Sequence, residues 1–97
     1  MLDLTKRIVD YYELIWFDGE KLQIKRPSQA LLMEIMALQT LPEEKQVEGM
    51  YDVIRSVVNN NTNKREFSAE EINDIDFETA ELIMEDYLQT VFPNLGQ

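Results

Sequence analysis

Apolar residues recur at two different periods along the chain, and the change of period marks out its elements. Val47, Met50, Tyr51, Ile54, Val57 and Val58 follow one another at mostly three- and four-residue steps, the spacing that lays a stripe down one face of an α-helix. Ala80, Ile83, Met84, Tyr87, Leu88 and Val91 repeat the pattern. These stripes predict helices over about 43–59 and 77–92. Pro42 with Glu43 and Glu44 opens the first, where acidic side chains meet the positive end of the helix dipole, and Pro93 closes the second. After Pro27-Ser28, the residues Ala30, Leu31, Leu32, Ile35, Met36 and Leu38 make an apolar surface wider than one stripe. That predicts a helix over about 28–39 in a central position. Ser68 and Glu71 ahead of Ile72 form a capping box, so a short helix is expected over about 69–74, with Asp76 capping the next start.

Ahead of these helices the period falls to two. "YYELIWFDGEKLQIKR", residues 11–26, is rich in aromatic and β-branched positions around Asp18-Gly19, a pairing that tolerates positive φ and marks a two-residue hairpin turn. With such a turn Trp16 faces Lys21 and Ile15 faces Leu22. Ile15, Phe17, Leu22 and Ile24 then pack on the core, and Tyr12, Leu14 and Trp16 stand on the opposite face with Lys21, Gln23 and Lys25. Residues 1–10 fit a short helix or turn, and "NLGQ" a loose end. Together these elements predict one domain over 1–97, of α+β class, mostly helical, with an N-terminal hairpin.

The stretch "NNNTNKREFSAE" sets Asn59, Asn61, Asn63 and Glu70 at the first, third, fifth and twelfth places of a twelve-residue window, the ligand rhythm of an EF-hand calcium loop. The sixth place, where that loop needs glycine, holds Lys64. The three early ligands are neutral amides, and Lys64 and Arg65 bring positive charge beside the proposed cation. The stretch reads better as a helix end, with asparagine in the left-handed conformation that stops helices, followed by the Ser68 cap. No metal is expected here, and a weak calcium-binding protein is the least favoured reading.

Charge narrows the partners. The net charge is −10, and no Lys or Arg follows Arg65, so the segment from Glu66 onward carries nine of those negative charges. Nucleic acid and anionic membrane are therefore unexpected partners. No apolar run approaches the ~20 residues of a membrane span, and "MLDLTKRIVDYYE" lacks a signal peptide's apolar stretch. A cytoplasmic location is expected. The chain has no Cys and no His, which removes the usual zinc ligands, the thiol nucleophile and the commonest acid–base group. Its three glycines are scattered, so no phosphate loop exists. Ser28, Ser56 and Ser68 do not stand in the Asp-Ser-Leu motif of acyl carrier proteins. An enzyme is not expected, and neither is a cofactor.

The order of elements resembles a known family. "FDGEKLQIKRPS" leads into helices, a middle helix ends in "VVNNNTNKREFSAEEINDID", and an acidic helix "AELIMEDYLQTVFP" closes the chain. This is similar to the small tail assembly chaperones of long-tailed bacteriophages and prophages, especially those of Gram-positive hosts. The resemblance implies a non-catalytic protein that binds and solubilises the tape measure protein during tail assembly. A phage structural or head–tail adaptor subunit that self-associates through the hairpin is the alternative, with homo-oligomers possible. The candidate partner-binding residues are the Tyr12, Leu14 and Trp16 strip, because Trp and Tyr concentrate binding energy, and Met33 and Met36, with Met50 and Met84, as lining of an adaptable groove.

Overall fold

The structure, a computed structural model, describes residues 1–4 and 11–92. Along the chain run β1 (Tyr12–Ile15), β2 (Lys21–Ile24), α1 (Gln29–Leu38), α2 (Glu43–Asn59), α3 (Ala69–Asn73) and α4 (Phe77–Val91). The fold is α+β and mostly helical, a two-stranded antiparallel hairpin followed by four helices. The expectation for residues 5–10 and for the stretch after Phe92 lies outside the described residues.

Three helices begin where a side chain can take up a free N–H of the first turn. Ser28 Oγ accepts from Leu31 N at 3.3 Å, Ser68 Oγ from Glu71 N at 3.1 Å, and Asp76 Oδ2 from Thr79 N at 3.0 Å. α2 lacks a side-chain cap; Pro42 precedes it and Glu43 and Glu44 fill its first turn. The striped helix α2 is the hub of the molecule. Val53, Ile54, Val57 and Val58 are each no more than 2% exposed, and α2 packs against α1, α3, α4 and β2. Tyr51 of α2 donates its hydroxyl to Ile75 O at 2.6 Å and so ties the α3–α4 connection to it.

The helix expected to be central is peripheral. Among the described residues α1 packs against α2 alone, burying Leu31 and Ile35, and leaves Leu32, Met33 and Met36 exposed. Its apolar width reflects a face on which no other described element packs, and hydrophobicity on several sides does not reveal which side will find a neighbour. At the α1–α2 corner, a Cβ on Gly49 would come within 2.5 Å of Leu41 Cδ1 and 2.8 Å of Leu38 Cδ1. The glycine thus lets both leucines settle onto α2.

The hairpin forms where expected, with a different register. Tyr12 pairs with Ile24, Leu14 with Leu22 and Ile15 with Lys21. Gly19 N–H donates to Trp16 O and Trp16 N–H to Glu20 O, both at 2.8 Å, so the loop is Phe17-Asp18-Gly19, three residues, with Gly19 at φ 89°. Asp18-Gly19 suits this loop as well as the two-residue turn, because both demand a residue at positive φ. One extra loop residue turns every β1 side chain to the other face. Tyr12 and Trp16 go into the core beside the fully buried Leu22 and Ile24, while Ile15 and Phe17 are 73% and 65% exposed. On the solvent face Lys21 Nζ meets Glu13 Oε2 at 3.0 Å.

The outer edge of β2 is closed by the asparagine segment. Lys25 N–H donates to Asn60 O and Thr62 N–H to Gln23 O, both at 2.9 Å, and Ile24 bridges Asn61. Side-chain amides extend the ladder: Asn63 Nδ2 donates to Lys21 O at 3.1 Å, Asn63 Oδ1 accepts from Gln23 N at 3.2 Å, and Asn60 Nδ2 donates to Lys25 O at 3.1 Å. An amide carries both a donor and an acceptor, so each Asn can stand in for a peptide group where no regular strand fits.

Candidate functional site

The register decides which sequence-expected contact residues are on the surface. Tyr12 and Trp16 are each 6% exposed and Leu14 packs against the same core, so the expected outward strip is an inner face. Trp16 lies 4.7 Å from Phe67, ring centre to ring centre, and Tyr12 meets Tyr87 edge-on at 5.2 Å. The Tyr12 hydroxyl donates to Asp86 Oδ2 at 2.6 Å. Burial, with that carboxylate beside it, pushes the Tyr12 phenol well above its ordinary value. Burial also raises the Tyr87 phenol, whose oxygen has no hydrogen-bond partner among the described residues. These aromatics hold the hairpin to α4.

Nor do the oxygens of the EF-hand-like window point at a common centre. Asn59 Oδ1 accepts from Phe67 N at 2.7 Å. Asn61 Oδ1 accepts from Asn63 N at 2.9 Å and Arg65 N at 3.2 Å, and Asn63 Oδ1 is taken by Gln23. Each of the three asparagine oxygens thus already accepts a backbone N–H. The residue at positive φ is Lys64, at 61°, while Asn60, which ends α2, has φ −87°. The expectation of a left-handed asparagine is corrected accordingly: the Asn61 amide bonds across the bend and fixes the backbone around Lys64. Arg65 closes the loop onto the hairpin, 2.8 Å from Asp18 Oδ2 and 2.7 Å from Glu20 Oε1, with its guanidinium 4.6 Å over the Phe67 ring. The carboxylate partners raise the Arg65 pKa further, while the Glu20 backbone N–H and the Arg65 guanidinium hold the Asp18 carboxyl below its ordinary value.

Besides Ile15 and Phe17 on the hairpin, apolar surface open to a partner lies on the helices. Met33 and Met36, expected to meet a partner, are 60% and 58% exposed on α1, with Leu32 beside them. Leu32, Met36 and Gln39 succeed one another at four- and three-residue steps, so this strip runs down α1 to a groove at its end. The groove has a volume of about 500 Å³. One wall is Gln46, Val47 and Met50 of α2, with Leu38 and Gln39 at its head. The other is Phe77, Glu81, Met84 and Leu88 of α4. Val47 and Phe77 are nearly half exposed, at 49% and 46%. A second cleft of about 520 Å³ between α1 and α2 is polar, with Glu34, Asp52 and Arg55 in its lining and Glu34 held by Ser56 Oγ at 3.0 Å.

Sequence periodicity assigned Met50, Met84 and Leu88 to helix stripes but could not show that these stripes part at one end. It did not single out Val47, Phe77 or Glu81 as groove residues. The signal was present in Val47 and Phe77, large apolar residues within the first five positions of their helices. No helix among the described residues is long and apolar enough to cross a membrane. Compared with known protein families, curated proteins and solved structures, the chain finds no match.

Proposed function

We propose that the protein is a tail assembly chaperone of a long-tailed phage or prophage, binding the tape measure protein and keeping it soluble before the tail tube forms around it. The observation that supports this reading is α1, a helix with apolar residues on several sides and, among the described residues, a neighbouring element on only one. Leu32, Met33 and Met36 stay exposed and lead into the apolar groove. Such a surface suits a protein whose task is to cover the apolar helices of another. Methionine, unbranched and polarisable, adapts to many partner shapes. The strong negative charge of the second half keeps a complex dispersed.

The test is co-expression with a long tape measure protein, which the reading expects to be encoded nearby. The expected result is that the tape measure moves from the pellet to the soluble fraction and co-purifies with the chain. Substituting Met33 and Met36 together by Asp is expected to return it to the pellet with the chaperone still folded. A tape measure equally insoluble with and without the chain, or a gene neighbourhood without tail genes, removes the proposal.

A further inference from the structure

We infer that the groove between α2 and α4 is a docking site for an amphipathic α-helix whose apolar face is flanked by Lys or Arg. The inference deepens the chaperone reading and rests on it only for the identity of the partner. Three observations carry it.

The first is shape. On α4 the groove runs from Phe77 through Glu81 and Met84 to Leu88. At ~1.5 Å per residue this stripe is about 16 Å long, or about three helical turns. The second is hydrogen bonding. Both walls are helices whose own backbone groups are paired internally, and the polar residues of the lining are Gln39, Gln46 and Glu81. An extended peptide lying there would leave most of its N–H and C=O groups without partners, whereas a helix satisfies its own.

The third is charge. Glu78, Glu81 and Glu85 are exposed and follow one another at three- and four-residue steps along the α4 rim. Glu43 stands one turn before Val47 on α2. None of these four carboxylates forms an ion pair with a Lys or Arg among the described residues. An apolar trough with an unneutralised acidic rim favours an apolar ridge with basic flanks and disfavours an acidic one.

The experiment uses the full chain and a pair of fluorescein-labelled helical peptides with the same Leu-rich face, one flanked by Lys and one by Glu. Fluorescence anisotropy at low salt is expected to show the Lys-flanked peptide binding at least about tenfold more tightly. Val47→Asp is expected to weaken that binding, although it makes the protein more acidic. Leu82→Asp, at a position 66% exposed and outside the groove lining, is the matched control and is expected to leave it unchanged. Glu81→Lys with Glu85→Lys, both on the surface, is expected to reverse the preference between the peptides and serves if Val47→Asp fails to fold. Equal binding of the two peptides, or tighter binding to Val47→Asp than to the parent, overturns the inference, the second because it is the signature of charge attraction alone. A soluble tape measure with no effect of Val47→Asp refutes the groove and spares the chaperone reading. Selective peptide binding with an insoluble tape measure does the reverse.

Discussion

Asn61 is expected to be the most costly polar side chain in the chain to remove. It is 7% exposed, and its amide makes four hydrogen bonds. Nδ2 donates to Val58 O at 2.6 Å and Arg65 O at 2.9 Å. Oδ1 accepts from the N–H groups of Asn63 and Arg65. Asn61→Ala strands two carbonyls and two N–H groups around the bend that holds β2 to α2. At a net ~0.5–1.5 kcal/mol per bond, less what water recovers, the loss is about 2–4 kcal/mol. For a domain of this size, with total stability of ~5–15 kcal/mol, that is a large fraction, and it lowers Tm by about 10–25 °C. Urea unfolding followed by far-UV circular dichroism measures it, with an unchanged slope confirming that the denatured state is the same. Asn61→Asp separates donors from acceptors: it keeps the acceptor but faces a carboxylate oxygen to the Val58 carbonyl, so it is expected to be at least as damaging as alanine. Thr62→Ala is the control, because its exposed hydroxyl contact to Gln23 is dispensable while its backbone N–H still donates to Gln23 O. If Asn61→Ala falls within about 0.5 kcal/mol of the parent, as ordinary surface changes do, the amide is not what holds the bend and the reasoning fails.

Gly19→Ala is expected to cost about 1–2 kcal/mol by thermal denaturation, purely from placing a Cβ at φ 89°, since nothing lies within 4 Å of that Cβ. Tyr12 and Tyr87 have phenol pKa values raised by folding, so the stability they contribute is fully present below the unfolded value near 10.0 and is lost as pH climbs above it. Tyr12→Phe is expected to flatten that alkaline decline in melts taken across the range, and an identical decline in the variant would refute the assignment. Arg65→Gln is expected to lower Tm through loss of the Asp18 and Glu20 contacts, and the deficit should shrink at about 1 M salt, where the screening length is ~3 Å. Calcium at millimolar concentration, about a thousandfold above many sensor affinities, is expected to leave Tm unchanged because the Asn61 and Asn63 oxygens are already engaged.

How legible these features were in the sequence depends on the range of the forces behind them. The helices were readable because their signals are local: a stripe of Val47 to Val58, and the caps Ser68 and Asp76 within three residues of the groups they serve. The hairpin was readable as a hairpin and misread as to face. Both faces of β1 carry large apolar residues, Tyr12 and Trp16 against Ile15 and Phe17, so alternation could not say which points inward, and one loop residue decided it. The contact strip assigned to Tyr12, Leu14 and Trp16 failed for that reason alone. Asn59–Asn63 was readable as a helix end but not as a sheet edge, because its partners lie 34 to 42 residues away and leave no periodic trace. The groove lies between these cases. Its methionines were visible, and its opening depends on where α1 stops and how far α2 and α4 diverge.

The amide ladder on β2 also sets an order of events in folding. A two-stranded hairpin has little stability alone, and the third rung of this one comes from a segment that follows α1 and α2 in the chain. Contacts across such separations form late, once loop closure has been offset by the helices. Substitutions in the ladder should therefore speed unfolding and leave the folding rate nearly unchanged. During synthesis the hairpin leaves the ribosome well ahead of its asparagines. For that interval the Lys21–Ile24 edge lacks its asparagine partners and is open to pairing with a strand of another nascent copy.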